Sequence, residues 1–287
     1  MLKTVLAAVC AAAALAAGTA AAQGTSPTLA KIKAAKAVNV AYSPDSAPFS
    51  SVSGSAAPQG YSIELCQRVI AQVARAVGEP ELKVNWIAGT VSERLQMVAG
   101  GRVDLDCANT TQTQTRLASV DFSNLIFIDG GGLLVKAGAP INRIADLAGK
   151  RVAVLEGTTT QTRLVETLRR RGIEATLLPI QDAGVGLSLV EAGTADAYAG
   201  DKVKLTALAL TSREPARMAL VLEDLSYEPY ALALPRNDSA LRLEVNRALT
   251  QVYLGGEIET IFEQWLGKLG RPTGLLAAMF LLNAIPE

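Results

Sequence analysis

The 287-residue chain contains no histidine. That absence removes the usual imidazole acid/base, the Ser-His-Asp and Cys-His nucleophiles, and every His-ligated zinc site. Cysteine is scarce, at three residues, and the two beyond the N-terminus do not make a tetrahedral metal site without histidine, so no metal is expected; no cofactor is expected either. Aromatic residues are few, at 5%, and Trp86, Trp265 and Phe262 read as core rather than ligand platforms; Tyr42 and Phe49 fit either a pocket wall or the core, with the core favoured for Phe49. An excess of either charge is also missing. Lysine and arginine number 27 and acidic residues 27, a balance that attracts neither nucleic acid nor an anionic membrane. Beyond the N-terminus no apolar run approaches the roughly 18 residues that span a bilayer, and "LLAAMFLL" (275–282) falls far short.

The N-terminus itself carries Lys3, an apolar run from Val5 to Ala17, and then "GTAAAQG". This order of charge, grease and small residues reads as an export signal cleaved after Ala22. Cys10 follows Val9 rather than a small residue and is not read as a lipid attachment site. Residues 1–22 are therefore set aside, and the remaining 265 residues suit one large domain or two lobes. Without Lys3 the mature chain holds 26 basic and 27 acidic residues. Cys66 and Cys107 remain, in a compartment where thiols oxidise, and a disulfide between them is expected over two separately buried thiols. It would close a loop of about 40 residues, worth roughly 4 kcal/mol by chain entropy.

Short β-rich segments alternate with helical ones, which predicts an α/β fold with largely parallel sheets. Strands are expected at 38–42, 82–87, 103–107, 132–136, 151–156, 175–180, 196–200, 218–223 and 230–235. Helical periodicity marks 62–78, 160–172, 184–193, 201–212 and a long pair broken at Gly255 and Gly256. The strand, loop and helix rhythm starts afresh near residue 141. Two lobes are expected: residues 23–133 with 230–287, and residues 134–229. The two crossings between them make a hinge.

In α/β sheets ligands collect beyond the carboxyl ends of strands, where loops and helix starts present oriented N–H groups. "VDLDCANTT" (103–111) and "RVAVLEGTTTQ" (151–161) are such strand ends. Thr110, Thr158 and Thr159 fit there either as ligand contacts or simply as helix caps. Arg116 brings a charge to the first of them. Its guanidinium offers a rigid fork for a carboxylate, folded back toward the loop by a helical turn, whereas the bland alternative is a solvated helix charge. Asp201 ends another strand, where a carboxylate suits an ammonium group or caps a helix beside Lys202. Arginine and aspartate facing each other across a cleft suit a zwitterion. "GVG" at 184–186 lacks the third glycine of a dinucleotide fingerprint, and the arginines at 169–171 read as a solvated helix end.

The segments "GYSIELC", "ERLQMVAGGRVDLDCANTTQTQTRLASVDFS", "DLAGKRVAVLEGTTTQ", "LVEAGTADAYAGD" and "GGEIETIFEQWLG" together resemble the periplasmic amino-acid-binding proteins of ABC importers, over about residues 36–270. The resemblance is strongest to the glutamate/aspartate-binding branch. It implies a two-lobed type II periplasmic binding protein, each lobe a mostly parallel sheet flanked by helices, joined by a two-crossing hinge. It also implies a periplasmic location, an inner-membrane permease as partner, a monomer, and closure on an L-amino acid. By the same resemblance Arg116, Asn109 and Thr111 fall on the positions that hold the ligand's α-carboxylate, Thr159 on the helix-start threonine of the second lobe, and Asp201 on the ammonium-binding aspartate. The side-chain pocket departs from the pattern. Ser43 stands where an arginine is found, Ala183 where a histidine is found and Val91 where a serine is found, leaving Arg94 alone of the cationic set. Glutamate or aspartate, or a polar neutral amino acid, are both compatible ligands. Two other readings are an exported cyclohexadienyl or arogenate dehydratase, with Glu156 or Lys202 near the substrate, and an extracellular sensing domain.

Overall fold

The computed structural model describes residues 26–54 and 56–286; the expected signal peptide lies outside them. Its strands are β1 (Ala37–Tyr42), β2 (Asp45–Ser46), β3 (Ser50–Ser51), β4 (Lys83–Ala88), β5 (Leu105–Asp106), β6 (Val120–Lys136), β7 (Arg151–Leu155), β8 (Thr176–Ile180), β9 (Ala197–Asp201) and β10 (Met218–Pro235). Eight of them form one sheet in the order β4-β1-β5-β10-β6-β9-β7-β8, and β2 pairs with β3 separately.

At one end of the sheet β1 runs parallel to β4 and β5, and at the other β7 runs parallel to β8 and β9. The long strands β6 and β10 are antiparallel to each other and to β9 and β5 respectively, so each lobe is a parallel trio joined to a shared antiparallel pair. Segments 218–223 and 230–235, expected as separate strands, are two ends of β10, and 132–136 is the last part of β6. Gly130–Gly132 and Pro229 look like breakers in isolation. The ladder nonetheless continues through them, with a register shift between Val221 and Ser226. Here the chain crosses between lobes. Gly131 pairs with Ser226 on one side and Asp201 on the other. A Cβ on Gly131 would sit 2.3 Å from Ser226 Oγ, so a side chain there would have to displace the hydroxyl that Ser226 donates to Glu228.

Each lobe has its own core, as two packed layers require. In the first lobe, helix α1 (Pro27–Ala35) and helix α2 (Tyr61–Val77) cover the sheet. Tyr61, Leu65, Cys66, Val69, Val73 and Val77 bury one helical stripe of α2 against Val38, Val40 and Leu105. Cys66 on α2 is disulfide-bonded to Cys107, directly after β5, with Cα atoms 6.0 Å apart. The bond ties the helix layer to the loop that leads into Asn109 and Thr111. Phe49, Tyr61, Phe127 and Tyr230 pack edge and face with centroids 5.0–6.1 Å apart, and Phe49 is fully buried in this cluster. Tyr42 packs edge-on against Trp86.

In the second lobe Leu133, Val152, Val154, Leu164, Leu168 and Ala197 form the core. Its helices are α5 (Thr159–Arg171), α6 (Ala183–Ala192) and α7 (Lys202–Leu210); helix α3 (Val91–Ala99) and the short α4 (Gln114–Leu117) belong to the first lobe. Helix α5 ends at Gly172 in a left-handed conformation, with Arg169, Arg170 and Arg171 in its last turn, where positive charge complements the helix dipole. After β10 come α8 (Ser239–Leu254), α9 (Glu257–Leu266) and α10 (Gly274–Asn283), which pack on the first lobe. No helix among the described residues is long and apolar enough to cross a membrane.

Candidate functional site

The strand ends of both lobes point at one another. A cavity of about 40 Å³ lies between them, lined by Ser43, Ser46, Val91, Arg94, Asn109, Thr111, Arg116, Leu155, Thr158, Thr159, Asp201 and Lys204. Of the nine residues expected at a ligand site, eight are on that wall. The exception is Thr110. It is fully buried behind the wall, donating to Asp106 Oδ2 at 2.5 Å and accepting from Arg94 Nη2 at 3.3 Å.

From the first lobe, Thr113 caps α4 by accepting from the Arg116 backbone N–H at 3.1 Å. That single turn folds Arg116 back so that Nη1 donates to the Thr111 carbonyl at 2.7 Å. Among the described residues no carboxylate comes within ion-pairing distance of this guanidinium. Burial lowers its affinity for the proton, opposed chiefly by the negative field of Glu228 and also by those of Asp106 and Asp201. Arg94 differs. Its Nε donates to Asp106 Oδ1 at 2.8 Å and its Nη1 to the Gly89 carbonyl at 2.8 Å, with the arginine only 3% exposed and the aspartate fully buried. Arg94 therefore lines the cavity but has its charge answered within its own lobe.

From the second lobe, Thr158 caps α5 by accepting from Gln161 N, and its hydroxyl donates to the Leu155 carbonyl at 2.8 Å. The capping role weighed for it is thus present, while its neighbour Thr159 reaches the lobe boundary. Asp201 ends β9 and accepts from Thr160 Oγ1 at 2.9 Å on its own lobe and from Asn109 Nδ2 at 3.1 Å across the gap. Thr111 Oγ1 and Thr159 Oγ1 are 3.3 Å apart, also across the gap. A further bond spans the lobes where Asp45 Oδ2 accepts from the backbone N–H of Ala183, at the start of α6, at 3.2 Å. Ser43 Oγ meets Asp45 at 3.0 Å and Ser46 Oγ at 2.8 Å.

Three residues missed by sequence reasoning complete the site. Glu228, fully buried on β10, accepts from Thr111, Thr159 and Ser226 hydroxyls, each at 2.6 Å. Burial first, and then the field of Asp201, raise its proton affinity, opposed by those hydroxyl bonds. Asp129 on β6 lies beside it in the hinge, accepting from Gly130 N at 2.7 Å, Val203 N at 3.1 Å and Tyr230 Oη at 3.3 Å. Burial and then Asp201 push its carboxyl up to about 7. Lys204, on the first turn of α7, is 8% exposed and faces the cavity.

The residues imagined for a dehydratase are elsewhere. Glu156 accepts from Gln181, and Lys202 pairs with Asp224; neither lines the cavity. A larger cavity of about 660 Å³ borders the hinge strands and the C-terminal segment, lined largely by apolar groups such as Phe127, Leu225, Phe262 and Leu275. Arg116, Thr159 and Asp201 have no part in it.

This arrangement presents a guanidinium and hydroxyls on one wall and a carboxylate with hydroxyls on the other, which is the chemistry of a small zwitterion site. Residues 38–268 match the bacterial extracellular solute-binding proteins, family 3. Among similar sequences, the L-glutamate/L-aspartate-binding protein of Pseudomonas aeruginosa is 31% identical over 249 residues, 86% of this chain and 82% of that one. The glutamate/aspartate import solute-binding protein of Escherichia coli is 28% identical over 256 residues, 88% of this chain and 85% of that one. Among solved structures, the solute receptor for L-cysteine of Neisseria gonorrhoeae superposes with a TM-score of 0.74 at 24% identity, covering 85% of this chain and 97% of that one; at that identity it establishes the fold. Family match, relatives and fold agree, and the chain belongs to the bacterial extracellular solute-binding proteins, family 3.

Proposed function

We propose that this protein captures an L-amino acid in the gap between its lobes, in the periplasm after removal of residues 1–22, and hands it to the membrane permease of an ABC-type importer. Residues 23–133 with 230–287 act as one lobe and 134–229 as the other, moving as a monomer about the paired crossings at Gly131 and Ser226. Arg116, with Asn109 and Thr111, takes the α-carboxylate; Asp201 takes the ammonium; Thr158 and Thr159 complete the second wall, and Ser43 and Arg94 border the side chain. The observation that carries this reading is that Arg116 and Asp201, 85 positions apart in sequence, line one cavity from opposite lobes.

Closure is favoured because groups from both lobes engage the ligand only when the gap is shut. Each charge-assisted bond contributes about 1.5–3 kcal/mol net, so three or four of them reach the ~8 kcal/mol of micromolar binding. Calorimetric titration with the twenty L-amino acids tests the proposal. Binding of at least one with a dissociation constant on the order of micromolar is expected; no heat from any of them, with a folded protein in the cell, would remove it.

A further inference from the structure

Three charged side chains on the cavity wall have no ion-pair partner among the described residues: Arg116, Asp201 and Lys204. Arg94, the fourth, is matched by Asp106 at 2.8 Å. The two charges of an amino acid's backbone answer Arg116 and Asp201. Lys204 is then left over. Its side chain is largely buried, at 8% exposure, while its ammonium donates to no described group and keeps contact with solvent at the cavity. An ammonium held at the mouth of a cavity by a buried stem is placed for a charge-assisted bond to an anionic ligand group.

We infer that Lys204 is the cation that receives an anionic ligand side chain, so that the ligand is an acidic L-amino acid. This rests on the amino-acid-capture reading and deepens it. Lys204 follows Asp201 by three residues and enters the same cavity one turn into α7. Asp201 is the N-cap of α7 and Lys204 lies in its first turn, so both side chains leave one helix start for the same cavity, where the ammonium and the distal carboxylate of aspartate or glutamate can meet them together. The positions that would otherwise supply positive charge do not. Ser43 contributes a hydroxyl already bonded to Asp45 and Ser46, and Ala183 contributes only a backbone N–H, which Asp45 takes. A ligand carboxylate gives Lys204 a charge-assisted bond that a neutral side chain cannot, while Glu228 is engaged by the Thr111, Thr159 and Ser226 hydroxyls.

The test compares L-glutamate and L-aspartate with L-glutamine and L-asparagine by calorimetry, on the wild type and on Lys204→Met, with circular dichroism and a thermal melt confirming the fold of each. The wild type should bind an acid at least about tenfold more tightly than its amide, and the Met variant should reduce that ratio by about tenfold or more, as expected for one charge-assisted contact. Lys204→Arg, which keeps the charge, should retain the preference for the acid. Should Met not fold, Lys204→Gln is held to the same threshold. An unmoved acid-to-amide ratio in the charge-removing variant, or a wild type that favours the amide, overturns the role of Lys204 alone. A folded wild type that binds no amino acid of any kind overturns the capture reading beneath it.

Discussion

Replacing Asp129 by asparagine should flatten the pH dependence of stability between about pH 4 and 7. The carboxyl is buried in the hinge, and burial with the nearby Asp201 charge raises it from 3.8 to about 7. Below pH ~4 it is protonated in both folded and unfolded chains and contributes no difference. As pH rises, the unfolded chain releases its proton first while the folded chain holds on, so the folded state binds more protons and stability falls across this window. Above about 7 both states are ionised and the penalty stays constant. A displacement of roughly three units at about 1.4 kcal/mol each sets a ceiling near 4 kcal/mol, and relaxation around the ionised group makes roughly 2–4 kcal/mol the expected span. Glu228, also raised by burial, tilts the wild-type curve the same way, so the informative quantity is the difference between the two proteins. Urea denaturation at pH 4.5, 6, 7 and 8 should show the variant gaining on the wild type up to about pH 7 and then holding its advantage. A gap that stays constant from pH 4.5 to 8 would show that Asp129 ionises near its ordinary range and refute the reasoning.

Two further perturbations probe the frame behind the site. Asp106→Ala strands the buried Arg94 guanidinium and should cost about 3–5 kcal/mol in denaturant unfolding, whereas Arg94→Met combined with Asp106→Leu should cost markedly less, because an unpaired buried charge is worse than none. Replacing Cys66 and Cys107 together by serine should cost roughly 4 kcal/mol by the entropy of the 41-residue separation it releases; unchanged unfolding in both oxidised and reduced wild type would contradict that.

Elements governed by local periodicity were legible in the sequence. Helix α2 shows its buried stripe at three- and four-residue spacing, and β7 and β8 show compact apolar runs bounded by glycine and polar residues. The continuity of β6 and β10 was not legible, because Gly130–Gly132 and Pro229 signal a break locally while their hydrogen-bond partners lie on each other, about a hundred residues away. The same division holds at the site. Asn109, Thr111, Thr159 and Asp201 stand at strand ends or helix starts, positions that a sequence marks. Thr110 shares that position, yet the alternation of the chain turns it inward to Asp106. Glu228 left no local mark, since Thr111 and Thr159 come from 117 and 69 residues away. Lys204 did leave one: a lysine three positions past a strand-end aspartate, in the largely apolar run "VKLTALAL". Its place in the first helical turn after Asp201 was there to be read.

The central claim is that a guanidinium and a carboxylate from opposite lobes grip the two charged ends of one amino acid. The most direct measurement takes the tightest-binding L-amino acid and its decarboxylated amine and titrates each into wild type and Arg116→Ala. Loss of the guanidinium should weaken the amino acid on the order of 10- to 100-fold, while the amine, having no α-carboxylate to offer, should distinguish the two proteins little. Equal affinity of the amino acid for both proteins would contradict the account.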